Sequence, residues 1–326
     1  MLEWGEFGFR CGALGLGESL SDLPMFLNQL HGTYHSPRYL ESDPLEFVHR
    51  YSDPWDQEAV GLIAALLAYG RVAQIRRSVS DALSRMETAA GTPSAFVRGL
   101  PARHAEAGWR TTFEGWTHRF NRGGDLEVLL LLLADSWREH GSLGARFTRD
   151  LAPTATDFGP ALDSLIGEWR GKSKALRPHQ PTGSFDYFLT APSGGSCCKR
   201  WCMFLRWMGR KDEIDPGLWT ENGVLQKTFS PGRFLSPKQL VIPIDTHTGR
   251  LSSYLGLTAR RTLDWKAARE VTEALRTCNP SDPVMYDFSL ARLGILEVCT
   301  RTYRAEICGD CPLLPACRFA RNGALS

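Results

Sequence analysis

Apolar side chains recur at three- and four-residue spacing along most of this chain, and that period admits helices and little else. Val60, Ile63, Leu66 and Leu67 make one apolar face. Ile75, Val79, Ala82, Leu83 and Met86 make a second, with Tyr69-Gly70-Arg71 at the break. Further helices are read at 125–137, 162–169, 199–207, 267–275 and 285–298. No segment alternates apolar and polar residues between hairpin turns, so the sequence predicts an all-α fold. Glycine, proline and serine gather at about 171–195 and 209–240, which read as long loops. Residues 1–29 are glycine-rich without a clear period and read as a poorly ordered leader.

With 326 residues, 43% hydrophobic and 23% charged, the chain has ample material for a core and is not a disordered polymer. Lys+Arg 38 against Asp+Glu 36 leaves a net charge of +2. Bulk charge cannot drive such a chain onto nucleic acid, so any basic surface must be local. The longest apolar runs, Val60–Tyr69 and Val128–Ala134, fall short of the roughly 20 residues that span a bilayer. No basic segment leads into an apolar one at the start, so a cytoplasmic protein is expected, without membrane partners and acting as a monomer. The cysteine count, nine, is odd, which argues against a disulfide framework.

Four of those cysteines close the chain as Cys299-x8-Cys308-x2-Cys311-x5-Cys317. A C-x2-C pair sets two thiolates on one tight turn, and flanking cysteines complete a metal site. Spacing alone leaves a [4Fe-4S] cluster and zinc both open. Cys197, Cys198 and Cys202 read as small core residues.

Upstream, Pro192-Ser193-Gly194-Gly195-Ser196 precedes a helix expected to begin near Cys197, with Ser196 as its cap. Such a turn presents backbone N–H groups at a helix N-terminus and can hold a phosphate. Nine Lys or Arg against five Asp or Glu across 195–250 add a local basic excess, with Lys199, Arg200, Arg206, Arg210 and Lys211 directly after the turn. Farther on, Asp245 follows an apolar tetrapeptide and precedes a helix-like segment, Arg250–Leu257. It either caps that helix or faces a cleft, where a carboxylate stabilises positive charge or activates water.

These elements in this order resemble the helix-hairpin-helix DNA glycosylase superfamily, the iron–sulfur type that contains endonuclease III and MutY. The hairpin counterpart is Ala191–Gly195, the catalytic-aspartate segment is Ile244-Asp245-Thr246-His247, and the cluster is Cys299 through Cys317. The first cysteine gap has eight residues where the superfamily has six. More closely, the chain resembles an uncharacterised bacterial family within it, through Leu66–Arg71, Lys199-Arg200, Leu205–Met208, Asp215–Trp219 and Ile242–His247, over residues 30–320. The resemblance implies a six-helix domain at 56–245, and a cluster domain joining 30–55 to 246–320. Residues 209–240 would be a loop inserted near the active cleft.

What the resemblance implies for function is base excision. The enzyme flips a damaged or modified base out of DNA, and Asp245 serves as the catalytic carboxylate at the N-glycosidic bond. Gly194, Gly195, Ser196, Lys199, Arg200, Arg71 and Arg250 are the expected DNA contacts, with Arg206, Arg210, Arg301, Arg304 and Arg318 as further phosphate candidates. Tyr69 or Arg71 would fill the gap left by the flipped base. Trp219 would stack on a base and Asp215 read its edge, while Trp207 reads as core. The superfamily's lyase lysine corresponds to position 197, a cysteine here. Lys199 is two helical steps further, a turn of about 200°, which would face it away from the cleft. A monofunctional glycosylase is therefore expected. The alternative is a non-catalytic DNA- or RNA-binding protein on the same scaffold.

Overall fold

The computed structural model describes residues 22–107, 112–176, 183–300 and 302–323. In chain order it forms α1 (Leu23–Tyr34), α2 (Pro54–Leu66), α3 (Val72–Ala90), α4 (Pro93–Ala107), β1 (Thr117–His118), β2 (Asn121–Arg122), α5 (Gly123–His140), α6 (Leu143–Arg149), α7 (Gly159–Leu176) and α8 (Gly183–Asp186). There follow α9 (Lys199–Gly209), α10 (Val224–Phe229), α11 (Thr246–Tyr254), α12 (Trp265–Cys278), α13 (Asp287–Ile295), α14 (Ala305–Cys308) and α15 (Arg318–Gly323). The protein is mostly helical, as its periodicity predicts. The one departure among the described residues is a minimal antiparallel hairpin, β1 with β2, pairing Thr117 with Arg122 and His118 with Asn121. Two-residue strands are too short to leave an alternating signature in the sequence.

Local chemistry explains the helix boundaries. The Asp53 carboxylate accepts from Trp55 N and Asp56 N, and Pro54 supplies the fixed φ of a first helical position, so α2 starts there. Leu126 and Val128–Leu133 are buried around the whole of α5, which is why that stretch reads as an unbroken apolar run. Helix α2 packs against α9, α4 and the 3-10 segment Pro44–Arg50, placing it at the centre of the core.

Two expectations need correction here. The poorly ordered leader expected at 1–29 does not hold for 23–29, because Leu23, Phe26, Leu27 and Leu30 share a helical face that packs against α13. The hydroxyl of Tyr286 also donates to Asn28 Oδ1 at 2.8 Å. Residues 1–21 lie outside the described residues. The stretch 209–240 is largely irregular, as read, but it is not an exposed loop throughout. Its helix α10 packs on α6 and α2, and Ile214, Leu218, Trp219, Leu225 and Leu235 are buried.

Next to that segment, buried ion pairs tie the chain's two ends together. Arg206 joins Asp215 to Asp287, Arg210 joins Asp215, Asp212 and Asp282, and Arg292 holds Asp43. His35 Nε2 meets Asp212 at 3.0 Å and stacks on His31, with ring centroids 4.2 Å apart. Burial, with His35 and Arg210 beside it, lowers the pKa of His31 to about 4, against the pull of Asp212 and Asp282. A histidine kept neutral in the folded state loses ground where the unfolded chain takes up the proton. Stability should hold above neutral pH and fall as pH drops from about 6.5 toward 4. Urea unfolding midpoints across that window check it; His31→Gln should flatten the slope.

Candidate active site

Asp245 stands at the N-terminus of α11, delivered there by the buried run Leu240–Ile244. Its Oδ1 accepts from His247 N at 2.8 Å and Thr248 N at 2.9 Å. The sequence left cap and cleft as alternatives; the geometry shows the cap, made by one carboxylate oxygen, and leaves the other to a side-chain partner. Oδ2 faces Lys199 Nζ at 3.0 Å. The side chains of the pair remain 32% and 30% exposed, so a ligand can reach them. Burial pushes the Asp245 carboxyl up, but the Lys199 charge and the amides of Thr248 and His247 outweigh it, and the group lies below the usual carboxylate range. It is an anion at neutral pH.

The contact overturns the expectation that Lys199 faces away. That expectation assumed a helix running through Cys197. Instead Cys198 takes a left-handed conformation, φ 49 and ψ 31, and α9 begins at Lys199. No helical rotation separates 197 from 199, so Lys199 opens the helix on the side of Asp245. A non-glycine residue at positive φ is disfavoured by about 1–2 kcal/mol, and such strain persists only where surrounding contacts enforce it. Cys198 is fully enclosed, and Cys197 Sγ lies 3.5 Å from Ile244 O, which ties the hairpin to the strand-like approach of Asp245.

The hairpin itself is built as a 3-10 turn, Pro192–Gly194, with Gly195 left-handed at φ 77. Gly194 and Gly195 are exposed, and nothing stands within 4 Å of a Cβ placed on either. Their amides are less available than expected. Gly194 N and Gly195 N donate within the turn, and Ser193 N and Oγ both donate to Asp163 Oδ1. Ser196 is not the helix cap; its hydroxyl accepts from Cys198 N at 3.1 Å, one residue before α9. A phosphate here would meet the first turn of α9, whose leading N–H groups have no intrahelical acceptor, and the Lys199 ammonium.

Several expected contacts are structural instead. Arg200 is 6% exposed, and its guanidinium donates to Leu66 O at 2.7 Å and to Tyr187 O. Arg206 and Arg210 are buried in the ion pairs described above. Asp215, fully buried between those two arginines, cannot read a base edge. Trp219 is fully buried too, and its indole N–H donates to Glu58 at 2.7 Å, so it does not stack on a ligand. Trp207 is core, as read. Arg250 turns toward the cysteine loop, donating to Cys299 O at 3.3 Å. Tyr69 is half-buried, and its hydroxyl meets His118 O at 3.2 Å and Asn121 Oδ1. Arg71 stays exposed at the start of α3, and Arg304 and Arg318 are exposed near the C-terminus. Arg301 lies outside the described residues.

Cys299, Cys308, Cys311 and Cys317 are each half-buried and draw together through successive tight turns, Cys311 N to Cys308 O and Cys317 N to Leu314 O. Burial raises the thiol of Cys311 to about 11. Among the described residues, no three His, Cys, Asp or Glu side chains stand close enough to share one ion. A single zinc would draw its thiolates to a common distance of about 2.3 Å. A [4Fe-4S] cluster would take the same all-sulfur donor set, and both centres are anionic, so the arginine beside the loop suits either.

A family model described as "Protein of unknown function (DUF2400)" matches residues 43–296, more than half of the chain. The chain belongs to this family. The match takes in the hairpin, Lys199 and Asp245, and ends before Cys299. No curated protein and no solved structure matches the chain. No helix among the described residues is long and apolar enough to cross a membrane.

Proposed function

We propose that this protein releases a damaged or modified base from DNA, with Asp245 as the carboxylate that acts at the sugar. The observation that carries the reading is the Lys199–Asp245 pair: an anion and a primary amine 3.0 Å apart, solvent-accessible, at the adjoining N-termini of α9 and α11. As the glycosidic bond lengthens, the sugar gains oxocarbenium character, and an ionised carboxylate beside C1′ stabilises it. The Lys199 ammonium and the first turn of α9 would sit against the neighbouring phosphate, and Arg71 would add salt-sensitive attraction. The four C-terminal cysteines would hold a [4Fe-4S] cluster, which when bound orders the C-terminal loop. Replacing Cys311 with Ser is expected to remove most of the iron and the visible absorbance near ~400 nm of anaerobically purified protein. Iron and sulfide analysis on the same sample checks this, and one zinc per chain would reverse the assignment.

The same contact favours a second reading of the chemistry. An amine that reaches Asp245 also reaches C1′. In that case the Lys199 amine, having given its extra proton to solvent, forms a bond to C1′ as the bond to the base breaks, and the base leaves with a proton from that nitrogen; the C1′–O4′ bond then breaks, O4′ takes the second nitrogen proton, and the ring-opened sugar is left as an imine. Borohydride reduces that imine to a stable protein–DNA adduct. Duplexes carrying a panel of damaged bases, incubated with and without borohydride, separate the readings. Base release with an adduct that vanishes in Lys199→Gln identifies the lysine as nucleophile. Base release without an adduct leaves water in that role. Tight DNA binding with no release from any duplex would mean a binding protein on a glycosylase scaffold.

A further inference from the structure

Three aromatic residues distant in sequence meet on one side of α9. Phe120 lies at the tip of the β1–β2 hairpin, beside Arg119 at φ 55, and is 43% exposed. Tyr187 follows α8 and is 38% exposed. Tyr69 follows α2 and lies between them. Phe120 and Tyr187 meet edge to face at 4.8 Å, and Tyr69 stacks on Phe120 at 5.5 Å.

The polar anchors of this cluster are all on its inner side. Arg200 underlies it, its guanidinium carbon 4.0 Å from the Tyr187 ring centre and 5.1 Å from that of Tyr69. Asn121, which receives the Tyr69 hydroxyl, donates to Ser184 O at 2.7 Å, so the hairpin is tied to α8. His118 bonds Tyr69 O at 3.1 Å and Ser78 Oγ at 3.0 Å. A cluster serving only the core would bury its rings. Here the hydrogen bonds hold Tyr69 and the hairpin that carries Phe120, while Phe120 and Tyr187 keep over a third of their surface in solvent. In the segments that form it, 69–71, 117–122 and 183–187, the exposed charges are Arg71, Arg119 and Arg122 against Asp186. Arg200 is also the residue after Lys199, one helical step of about 100° from the reactive pair.

We propose that the Phe120–Tyr187 platform stacks an unpaired nucleobase of the bound DNA strand, whose phosphates lie toward Arg71, Arg119 and Arg122. Rigid aromatic faces ringed by cations are the elements that bind single strands without sequence preference. The inference rests on the nucleic-acid part of the reading above and does not require base release. It also moves the stacking role from Tyr69, whose hydroxyl is tied down, to Phe120.

The test is fluorescence anisotropy of the full-length protein with two oligomers of equal length, oligodeoxythymidylate and a chain of abasic tetrahydrofuran units. Phe120→Ala and Tyr187→Ala should each bind the thymidylate about 10-fold more weakly or worse, and the abasic chain like the parent. Phe120→Trp should restore thymidylate binding. Equal parent affinity for both oligomers, or thymidylate binding indifferent to Phe120→Ala, overturns the proposal. Stacking without base release from any duplex would sink the glycosylase reading and keep the platform. Base release with no sensitivity at Phe120 would do the reverse.

Discussion

Asp245→Asn should lower base release by about 10³-fold while leaving the protein folded and bound to DNA. The two oxygens of this carboxylate have separable tasks. Oδ1 accepts from His247 N and Thr248 N and so starts α11; an asparagine oxygen accepts the same two bonds and caps a helix about as well. Stability should therefore change by less than about 1 kcal/mol, given the solvent around the lost ion pair. Oδ2 and the negative charge are what the substitution removes, along with the stabilisation of a cationic sugar. Single-turnover release and thermal unfolding, measured on the same preparation, distinguish the tasks. Undiminished release in Asp245→Asn would end the catalytic assignment. Because Lys199 and two amides hold the carboxyl below its usual range, the acid limb of the parent's activity should fall below about pH 4, where an ordinary carboxylate titrates.

Glu58→Ala should produce the largest loss of stability in the molecule, about 4 kcal/mol or more, with the thermal midpoint falling by about 10 °C. Glu58 is fully enclosed, and no cation pairs with it in the contacts described. Its oxygens accept from Leu143 N at 3.0 Å, Gly144 N at 3.1 Å, Trp219 Nε1 at 2.7 Å and Trp137 Nε1. Burial raises its pKa and the four donors oppose that. Removing the carboxylate leaves four buried N–H groups without acceptors at the junction of α2, α5, α6 and the segment before α10. Glu58→Gln is expected to do nearly the same harm, because its NH2 would face donors. Gly144 belongs to the same arrangement; a Cβ there would fall 2.6 Å from the Trp219 indole. A midpoint within a few degrees of the parent's would show that water replaces the lost acceptor.

Much of this protein is local, and what is local was legible. The faces Val60–Leu67 and Ile75–Met86 become α2 and α3, and the break at Tyr69-Gly70-Arg71 falls where it was read. Helical period survives in a sequence because each face is defined by residues three and four apart. Asp245 at a helix start was legible for the same reason, as was Trp207 in the core.

The errors over Arg200, Arg206, Arg210, Asp215 and Trp219 share one cause: the partner of a side chain is chosen by tertiary packing. Arg200, Arg206 and Arg210 follow a glycine turn like a phosphate-binding run, yet their partners are Leu66 O, Asp215, Asp282 and Asp287. Trp219 and Asp215 look exposed in a proline-rich stretch, and both are fully buried. Phe120 and Tyr187 carry no sequence signal, because only the hairpin and α8 bring them to Tyr69. Lys199 turns on a single residue. With Cys198 left-handed, the helix starts two positions later than glycine and serine suggest, and an amine expected to point away meets Asp245. Sequence by itself determined the mostly helical fold, the longer amphipathic helices and the place of Asp245 at a helix start. The tertiary structure alone decided which charges are free to meet a ligand, because burial and pairing depend on segments a hundred residues apart.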